Sequence, residues 1–187
     1  MNAFHRWYCN SARWARRLQN EDMPAALRGI ELGGDVLEIG PGPGMSTDWL
    51  RTRVARLTSI EIDRKLADAL KARLAGTNVR VIEADASAMP LPDACFDVAV
   101  CFTMLHHVPA GLQDRLLAEA CRVLRPGGTF AGTDSVPNFV WNVAHLFDDR
   151  NPVDPQTFAA RLEAVGFTDA TVRTAGTGFG FRGRKPA

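Results

Sequence analysis

A glycine-rich turn between a strand and a helix constrains this chain more than any other feature. Residues 36–39 form a short, mostly apolar run that is typical of a buried strand, and Gly40, Gly42 and Gly44 follow it. Glycines at alternate positions let the backbone turn sharply and approach a ligand with no Cβ in between. A helix is predicted from about Met45, so its first N–H groups face the same space. The sequence therefore predicts a strand–turn–helix unit that binds a ligand.

The spacing of this turn excludes two common glycine-loop sites. The dinucleotide fingerprint needs its third glycine one residue later, and the P-loop ends in Gly-Lys-Ser/Thr, where this chain has Gly44-Met45-Ser46. The turn holds no Lys or Arg for a phosphate, and its nearest charged side chain is Glu38. A carboxylate there suits a cationic or amine-bearing ligand, with a purely structural turn as the alternative.

Strand-like and helix-like segments alternate along the rest of the 187 residues. Further strands are predicted at residues 57–62, 79–84, 96–102, 129–134, 167–173 and 178–184, and helices at residues 45–54, 64–74, 111–124 and 155–165. This alternation predicts an α/β fold with a doubly wound sheet and a parallel core, and the length suits one such domain. We expect a ligand in the crevice beyond the carboxyl ends of the strands.

Carboxylates stand at the ends of the next two predicted strands. Glu61 lies about 20 residues past the glycine turn, where an acidic side chain accepts both ribose hydroxyls of a nucleoside. Asp63 could do the same, but its place before Arg64 favours an N-cap of the next helix. Asp85, at the end of the third strand, could accept a hydrogen bond from an adenine amino group. The strand ends together predict a nucleoside site.

These motifs resemble, in order and in spacing, those of the class I S-adenosylmethionine-dependent methyltransferases. The resemblance covers about residues 34–175 and is carried by Glu38–Gly44, which matches the family's E/DxGxGxG signature, and by Glu61, Asp85-Ala86, Phe96-Asp97 and Val123–Gly128. It implies a Rossmann-like sheet of seven strands, mostly parallel with an antiparallel last strand. It also implies S-adenosylmethionine as the cofactor and S-adenosylhomocysteine as the product.

The residues that this resemblance places around the cofactor lie at the ends of the first four strands. They are Glu38, Gly40, Pro41, Gly42 and Gly44 near the methionine part, Glu61 and Ile62 at the ribose, Asp85 and Ala86 at the adenine, and Cys101 and Phe102 beside the methionine part and the methyl group.

The residues that follow the fourth strand differ between branches of this family. Ser59–Leu66 also resembles the ribosomal RNA adenine dimethyltransferases, which carry an Asn/Asp-Pro-Pro/Leu-Tyr/Phe motif at this exit, but Phe102–Leu105 does not match that motif. Residues 105–108, Leu-His-His-Val, instead resemble the type 11-like branch that methylates metabolites, quinones and lipid head groups. With a net charge of +1 and no added RNA-binding domain, we expect a small-molecule or lipid acceptor and no nucleic acid.

Three residues are candidates for catalysis: His107, His106 and Tyr8. His107 matches a histidine frequent in that branch, and either a general base or a histidine packed beside the cofactor is consistent with its position. Tyr8 lies on the aromatic face of a helix predicted at about residues 2–20, where it could polarise an acceptor or simply dock the helix. A base is needed only for a hydroxyl or a protonated amine. The histidine spacing matches no known ligand set, so no metal is expected.

The predicted first helix belongs to an N-terminal cap, residues 1–33, ahead of a methyltransferase domain at residues 34–187. Its arginines, among them Arg13, Arg16 and Arg17, share one face, so we expect a lid, with contact to a membrane surface as the alternative. Scattered cysteines and the lack of a signal peptide or apolar span predict a cytoplasmic protein, monomeric or homodimeric. Aminopropyl transfer and a non-catalytic cofactor-binding regulator remain the alternative functions.

Overall fold

The sheet is the frame on which the site is built. The computed structural model describes residues 11–137 and 151–187, which form a seven-stranded sheet. Its strands are β1 Asp35–Ile39, β2 Arg56–Glu61, β3 Val79–Glu83, β4 Phe96–Phe102, β5 Leu124–Ser135, β6 Thr168–Ala175 and β7 Gly178–Arg184. Their order is β3-β2-β1-β4-β5-β7-β6, with β1 to β5 parallel and β7 antiparallel to both neighbours. The predicted α/β fold with an antiparallel last strand is confirmed.

Six α-helices lie in the described ranges. They are α1 Ala12–Arg17, α2 Met23–Ala26, α3 Met45–Leu50, α4 Arg64–Arg73, α5 Ala110–Val123 and α6 Pro155–Ala164. A π-helical turn, Leu18–Asp22, joins α1 to α2, and a 3₁₀ turn, Leu105–His107, follows β4. Asp63 caps α4 by accepting two backbone N–H groups of its first turn, as the sequence predicts. Of the helices in the described ranges, none is long and apolar enough to span a bilayer.

Two elements differ from their predicted bounds by four residues or more. Helix α3 ends at Leu50 rather than at residue 54, because the side chains of Thr52 and Arg53 donate to the carbonyl oxygen of Trp49 in place of continued helix bonds. Strand β5 begins at Leu124 rather than at residue 129, because Leu124 already pairs with Phe96 on β4 before the register shifts. Both differences arise from hydrogen bonds and strand pairing, which the hydrophobic periodicity of a sequence does not predict.

Two hydrophobic clusters hold helices to the two faces of the sheet, since successive strand side chains point to opposite faces. On one face, α5 packs on the strands through residues such as Leu116, against Phe130 of β5. On the other face, Leu18, Met23 and Leu27 are buried with side chains of β1, β4 and β5. Residues 18–27 therefore form part of the main core, and the proposed domain division at residue 33 stays a prediction.

The first helix shows the predicted amphipathic pattern within its described part. Arg13 and Arg16 are exposed, Trp14 is half-buried and Leu18 is buried. From the π-helical turn, the side-chain amide of Gln19 donates to the carbonyl oxygen of Met45 at 2.8 Å, where α3 begins. This bond ties the N-terminal segment to the helix that follows the glycine turn.

An ion-pair network joins four strands at the end of the sheet that lies opposite the glycine turn. Arg56 of β2 and Arg125 of β5 both donate to Oδ2 of Asp35 on β1, at 2.8 and 3.0 Å. Arg125 also donates to Asp97 of β4 at 2.6 Å. Hydrogen bonds from Arg56, and then from Arg125, lower the pKa of Asp35 to about 2. The network therefore holds together the amino-terminal ends of these strands, away from the glycine turn.

Candidate functional site

The glycine turn has the backbone that its sequence predicts. Gly40, Gly42 and Gly44 all have positive φ angles, of 68°, 54° and 92°. The N–H of Gly40 donates to the carbonyl of Ile60 at 2.9 Å, so the turn starts against β2. A Cβ at Gly40 would overlap the side chain of Met104. Glycine is required there both by the left-handed backbone and by the close approach of Met104.

A salt bridge beneath the turn fixes its far end. Arg73, in the last turn of α4, donates to both carboxylate oxygens of Asp48 on α3, at 2.8 and 2.7 Å. A third bond runs from Arg73 to the carbonyl oxygen of Pro43 at 3.3 Å. These bonds join residues that are 25 and 30 positions apart. The local glycine motif therefore could not predict them.

Glu38 lies beneath the turn as a buried carboxylate. It is 1% exposed, and its oxygens accept hydrogen bonds from the hydroxyls of Ser46, Thr47 and Ser59 at 2.5 to 2.7 Å. Burial raises its pKa, and the three hydroxyls partly offset that effect. Glu38 thus joins β1, the start of α3 and β2, and its predicted direct contact with a ligand stays a prediction.

Glu61 joins the turn to the end of β2. Its Oε2 accepts the N–H of Gly42 at 2.9 Å, and its Oε1 accepts the N–H of Asp63 at the same distance. The residue is 6% exposed. A carboxylate has about four lone-pair positions, so two backbone bonds leave capacity for further donors such as a pair of hydroxyls.

An exposed apolar side chain, that of Ile62, follows Glu61 in the chain. Ile62 is 68% exposed, although large apolar side chains are mostly buried in the described part of the chain. At the end of the neighbouring β3, Asp85 is exposed, and one of its oxygens accepts the N–H of Ser87 at 2.8 Å. Ala86 beside it is half-buried. The neighbouring strands β2 and β3 are therefore followed at their carboxyl ends by an exposed apolar side chain and an exposed acidic side chain.

The end of β4 contributes two side chains that point to opposite faces. Cys101 belongs to the cluster with α5 and α6, whereas Phe102 belongs to the cluster with the N-terminal segment. Burial raises the pKa of the Cys101 thiol well above its usual range. Thr103 then takes a left-handed backbone with φ of 49°, unusual for a β-branched residue. The contact of Cys101 and Phe102 with a cofactor stays a prediction.

The two histidines after β4 lie in different environments. His106 is 2% exposed, and its Nδ1 contacts the carboxylate of Asp134, which is 1% exposed at the end of β5. His107 is half-buried, and its ring centroid lies 4.2 Å from that of His106. The third catalytic candidate, Tyr8, lies outside the described residues.

The pairing of Asp134 with His106 is a feature that sequence reasoning missed. Asp134 lies 28 positions from His106 in the sequence, and no local motif links the two residues. The available signal was the sheet order, because the ends of neighbouring parallel strands lie side by side. Within the ranges that the structure describes, no three His, Cys, Asp or Glu side chains group in a way that could hold a metal ion.

Known proteins share parts of this sequence. A probable S-adenosylmethionine-dependent methyltransferase of Mycolicibacterium smegmatis is 35% identical over 98 residues, covering 52% of this chain and 37% of the relative. A fatty-acid O-methyltransferase of the same organism is 34% identical, covering 62% and 42%. The ribosomal RNA small subunit methyltransferase A of Koribacter versatilis is 45% identical over 76 residues, covering 37% and 27%. The chain thus spans less than half the length of each of these three relatives.

Solved structures share the fold over a larger part of the chain. An S-adenosylmethionine-dependent methyltransferase from Aquifex aeolicus matches with a TM-score of 0.76 at 20% identity, covering 98% of both chains. A family model described as a methyltransferase domain matches residues 37–132, about half of this chain and the part that carries the glycine turn, Glu61, Asp85 and both histidines. The chain belongs to the class I S-adenosylmethionine-dependent methyltransferase family.

Proposed function

We propose that this protein transfers the methyl group of S-adenosylmethionine to a small-molecule or lipid-like acceptor. One observation carries the proposal: the carboxylate of Glu61 is held by the backbone of Gly42 and Asp63, and the exposed Ile62 is the next residue in the chain. A carboxylate with unused lone pairs beside an apolar surface suits the ribose hydroxyls and the adenine ring of a nucleoside. Family membership supports the same cofactor.

The remaining residues of this edge suit that cofactor as well. Asp85, exposed at the end of β3, has an acidic side chain for the adenine amino group. At Gly42 an added Cβ would meet nothing within 4 Å, so the backbone of the turn borders open space there. The methionine part would lie along this turn, with Gly40 and Gly44 keeping the backbone in the required conformation.

The chain's own residues have a limited chemical task. Bound S-adenosylmethionine supplies an electrophilic methyl group, so the protein must align an acceptor lone pair with it at about 3 Å. A base is needed only where the acceptor is a hydroxyl or a protonated amine. We assign the role of this base to His107, which is half-buried at the exit of β4. Tyr8 remains a second candidate.

The acceptor class is supported by the exit of β4 and by one relative. Phe102–Leu105 lacks the Asn/Asp-Pro-Pro/Leu-Tyr/Phe motif that the RNA adenine dimethyltransferases carry there, and the net charge of +1 supplies no general attraction to a polyanion. The similarity to a fatty-acid O-methyltransferase also favours a lipid-like acceptor. The similarity to a ribosomal RNA methyltransferase makes RNA the acceptor class to test against.

Two measurements test the proposal. Calorimetry with S-adenosylhomocysteine should detect binding, and no binding tighter than about 1 mM would contradict the cofactor assignment. The protein is then incubated with S-adenosylmethionine carrying a labelled methyl group and, separately, with oleate, a phenol or small-subunit ribosomal RNA. Label in oleate or the phenol supports the acceptor class, and label in the RNA overturns it. Binding without transfer to any of the three would favour a non-catalytic regulator.

Contact of the N-terminal helix with a membrane surface is a separate proposal. Arg13, Arg16 and Arg17 are exposed on α1, although Arg17 also pairs with Asp22 at 3.4 Å. Basic residues on one face of a helix favour anionic lipid. Replacing all three arginines with glutamine should then abolish co-sedimentation with phosphatidylserine vesicles. Equal sedimentation of the variant and the wild type, or none by either, would contradict the proposal.

A further inference from the structure

We propose that Asp134 is a positioning residue that holds the His106 ring, with its proton on Nδ1, against the ring of His107. Through this contact, Asp134 and His106 support His107 when it takes a proton from the acceptor. The catalytic part of this inference rests on the proposed function. The structural part, the protonation state of His106, does not.

Asp134 has the hydrogen bonds of an ionised carboxylate. Its Oδ2 accepts the backbone N–H of His106 at 3.0 Å, and its Oδ1 accepts the backbone N–H of Ser135 at 2.6 Å. Nδ1 of His106 also contacts Oδ1. These two backbone donors supply the hydrogen bonds that a buried carboxylate charge requires.

An ionised carboxylate is only an acceptor, so it determines which nitrogen of His106 carries a proton. Nδ1 must be the donor toward Asp134. In the neutral ring, Nε2 is then the nitrogen with the lone pair. The same carboxylate binds both the backbone and the ring of His106, which restricts the rotation of the side chain. Asp134 therefore sets both the orientation and the tautomer of His106.

The turn that carries both histidines is also held from the α5 side. The side-chain amide of Gln113, 3% exposed, donates to the carbonyl oxygens of Leu105, Val108 and Asn151 at 3.2, 3.3 and 2.8 Å. The N–H of Asn151 in turn donates to the carbonyl of His106 at 3.0 Å. These bonds keep the turn in one position, which a group that must meet a reacting atom requires.

Among residues 11–137 and 151–187, titratable and charged groups near the two histidines come from three elements. They are Asp134 on β5, the Cys101 thiol on β4, whose pKa burial and the charge of Asp134 both raise, and Arg161 on α6, which donates to Oε1 of Gln113 at 2.9 Å. Arg161 also pairs with Asp114 at 2.7 Å, whereas Asp134 is the carboxylate that contacts the His106 ring directly. Its negative charge therefore lies where it can stabilise a cationic histidine.

This arrangement serves the removal of a proton from the acceptor during methyl transfer. The oxygen of an acceptor hydroxyl bonds to the methyl carbon, and the carbon–sulfur bond breaks with its electron pair staying on sulfur. The hydroxyl proton passes to a ring nitrogen of His107. The resulting imidazolium lies against His106, with ring centroids 4.2 Å apart, and the negative charge of Asp134 stabilises it through that ring.

The tautomer is measured by two-bond ¹⁵N–¹H correlations of the histidine side chains in the full-length protein bound to S-adenosylhomocysteine. We expect wild-type His106 to carry its proton on Nδ1, and the Asp134→Asn variant to carry it on Nε2, because the asparagine amide turns a donor toward Nδ1. The matched control, Asp68→Asn on α4, removes an exposed carboxylate and should leave the wild-type pattern. Wild-type His106 protonated on Nε2 alone would overturn the inference, even if Asp134→Asn does not fold.

The catalytic part is tested by comparing two acceptors. For a phenol, we expect Asp134→Asn to lower kcat by about tenfold or more, with KM and the affinity for S-adenosylhomocysteine changed less than about twofold. For oleate, already ionised at neutral pH, the rate should change little. An equal loss with both acceptors would show a merely structural role and overturn the inference. Failure of the wild type to methylate anything would instead contradict the proposed function and leave the tautomer result standing.

Discussion

Gly42 donates its backbone N–H to Oε2 of Glu61 at 2.9 Å, which ties the glycine turn to the end of the neighbouring strand. The other carboxylate oxygen accepts the N–H of Asp63, at the start of α4. One side chain thus sets the relative positions of the turn, β2 and α4. We therefore expect a ligand that bonds to Glu61 to stabilise the turn as well.

Replacing Glu61 with glutamine should weaken the binding of S-adenosylhomocysteine by about tenfold or more, because hydrogen bonds to a charged acceptor contribute about 1.5 to 3 kcal/mol. Titration calorimetry measures the change. Asp63→Asn is the matched control, since asparagine also caps helices, and its affinity should stay within about twofold of wild type. Unchanged affinity in Glu61→Gln would move the ribose contact to another residue.

The glycines of the turn should differ in their sensitivity to alanine. Gly40→Ala combines a φ of 68° with an overlap against Met104, so we expect its free energy of unfolding to fall by about 2 kcal/mol or more. Gly42→Ala adds only backbone strain, since its Cβ would meet nothing within 4 Å, and should cost about 1 kcal/mol. Urea unfolding compares the two variants, and equal losses would contradict the close contact with Met104.

Stability should depend on pH through Glu38. The raised pKa of this carboxyl means that the folded state holds its proton more tightly than the unfolded state. The stability that it contributes is therefore present at low pH and is lost as the pH rises through the raised value. Glu38→Gln has no such loss, so its free energy of unfolding should rise relative to wild type as the pH increases from about pH 3, below the ordinary pKa of a glutamate, to neutral pH.

A variant that lacks one of the hydroxyl donors tests the contribution of hydrogen bonding at Glu38 apart from that of its charge. Ser59→Ala removes one of the three donors to this carboxylate and should lower the free energy of unfolding by about 1 to 2 kcal/mol, with the loss growing as the pH rises. Urea unfolding at several pH values measures both variants. A constant difference between Glu38→Gln and wild type across that range would contradict the pKa shift.

The network around Asp35 should have the opposite pH dependence. Its pKa is lowered to about 2, so its stabilising effect is present above the ordinary value and disappears as the pH falls toward 2. Asp35→Asn should therefore cost about 1 to 2 kcal/mol at neutral pH and progressively less below about pH 4, by urea unfolding. Asp68→Asn, in an exposed pair with Arg64, should cost less than about 0.5 kcal/mol at neutral pH.

The sequence alone determined the features that depend on neighbouring residues. Hydrophobic periodicity predicted all seven strands, and the glycine spacing predicted the turn at residues 40–44. Asp63 was predicted as a helix cap because the bond involves residues two and three positions away. Such features depend on residues that are close in sequence, so a short stretch of sequence is enough to predict them.

Only the tertiary structure decided how distant residues meet. Glu38, which the sequence presents as a rim carboxylate facing a ligand, is buried beneath the turn by hydroxyls 8, 9 and 21 positions away. Asp134 becomes the partner of His106 because β5 lies beside β4, and α5 supplies Gln113 to the same turn. Hydrogen bonds between segments depend on the order and register of the strands, which no pattern within one segment contains.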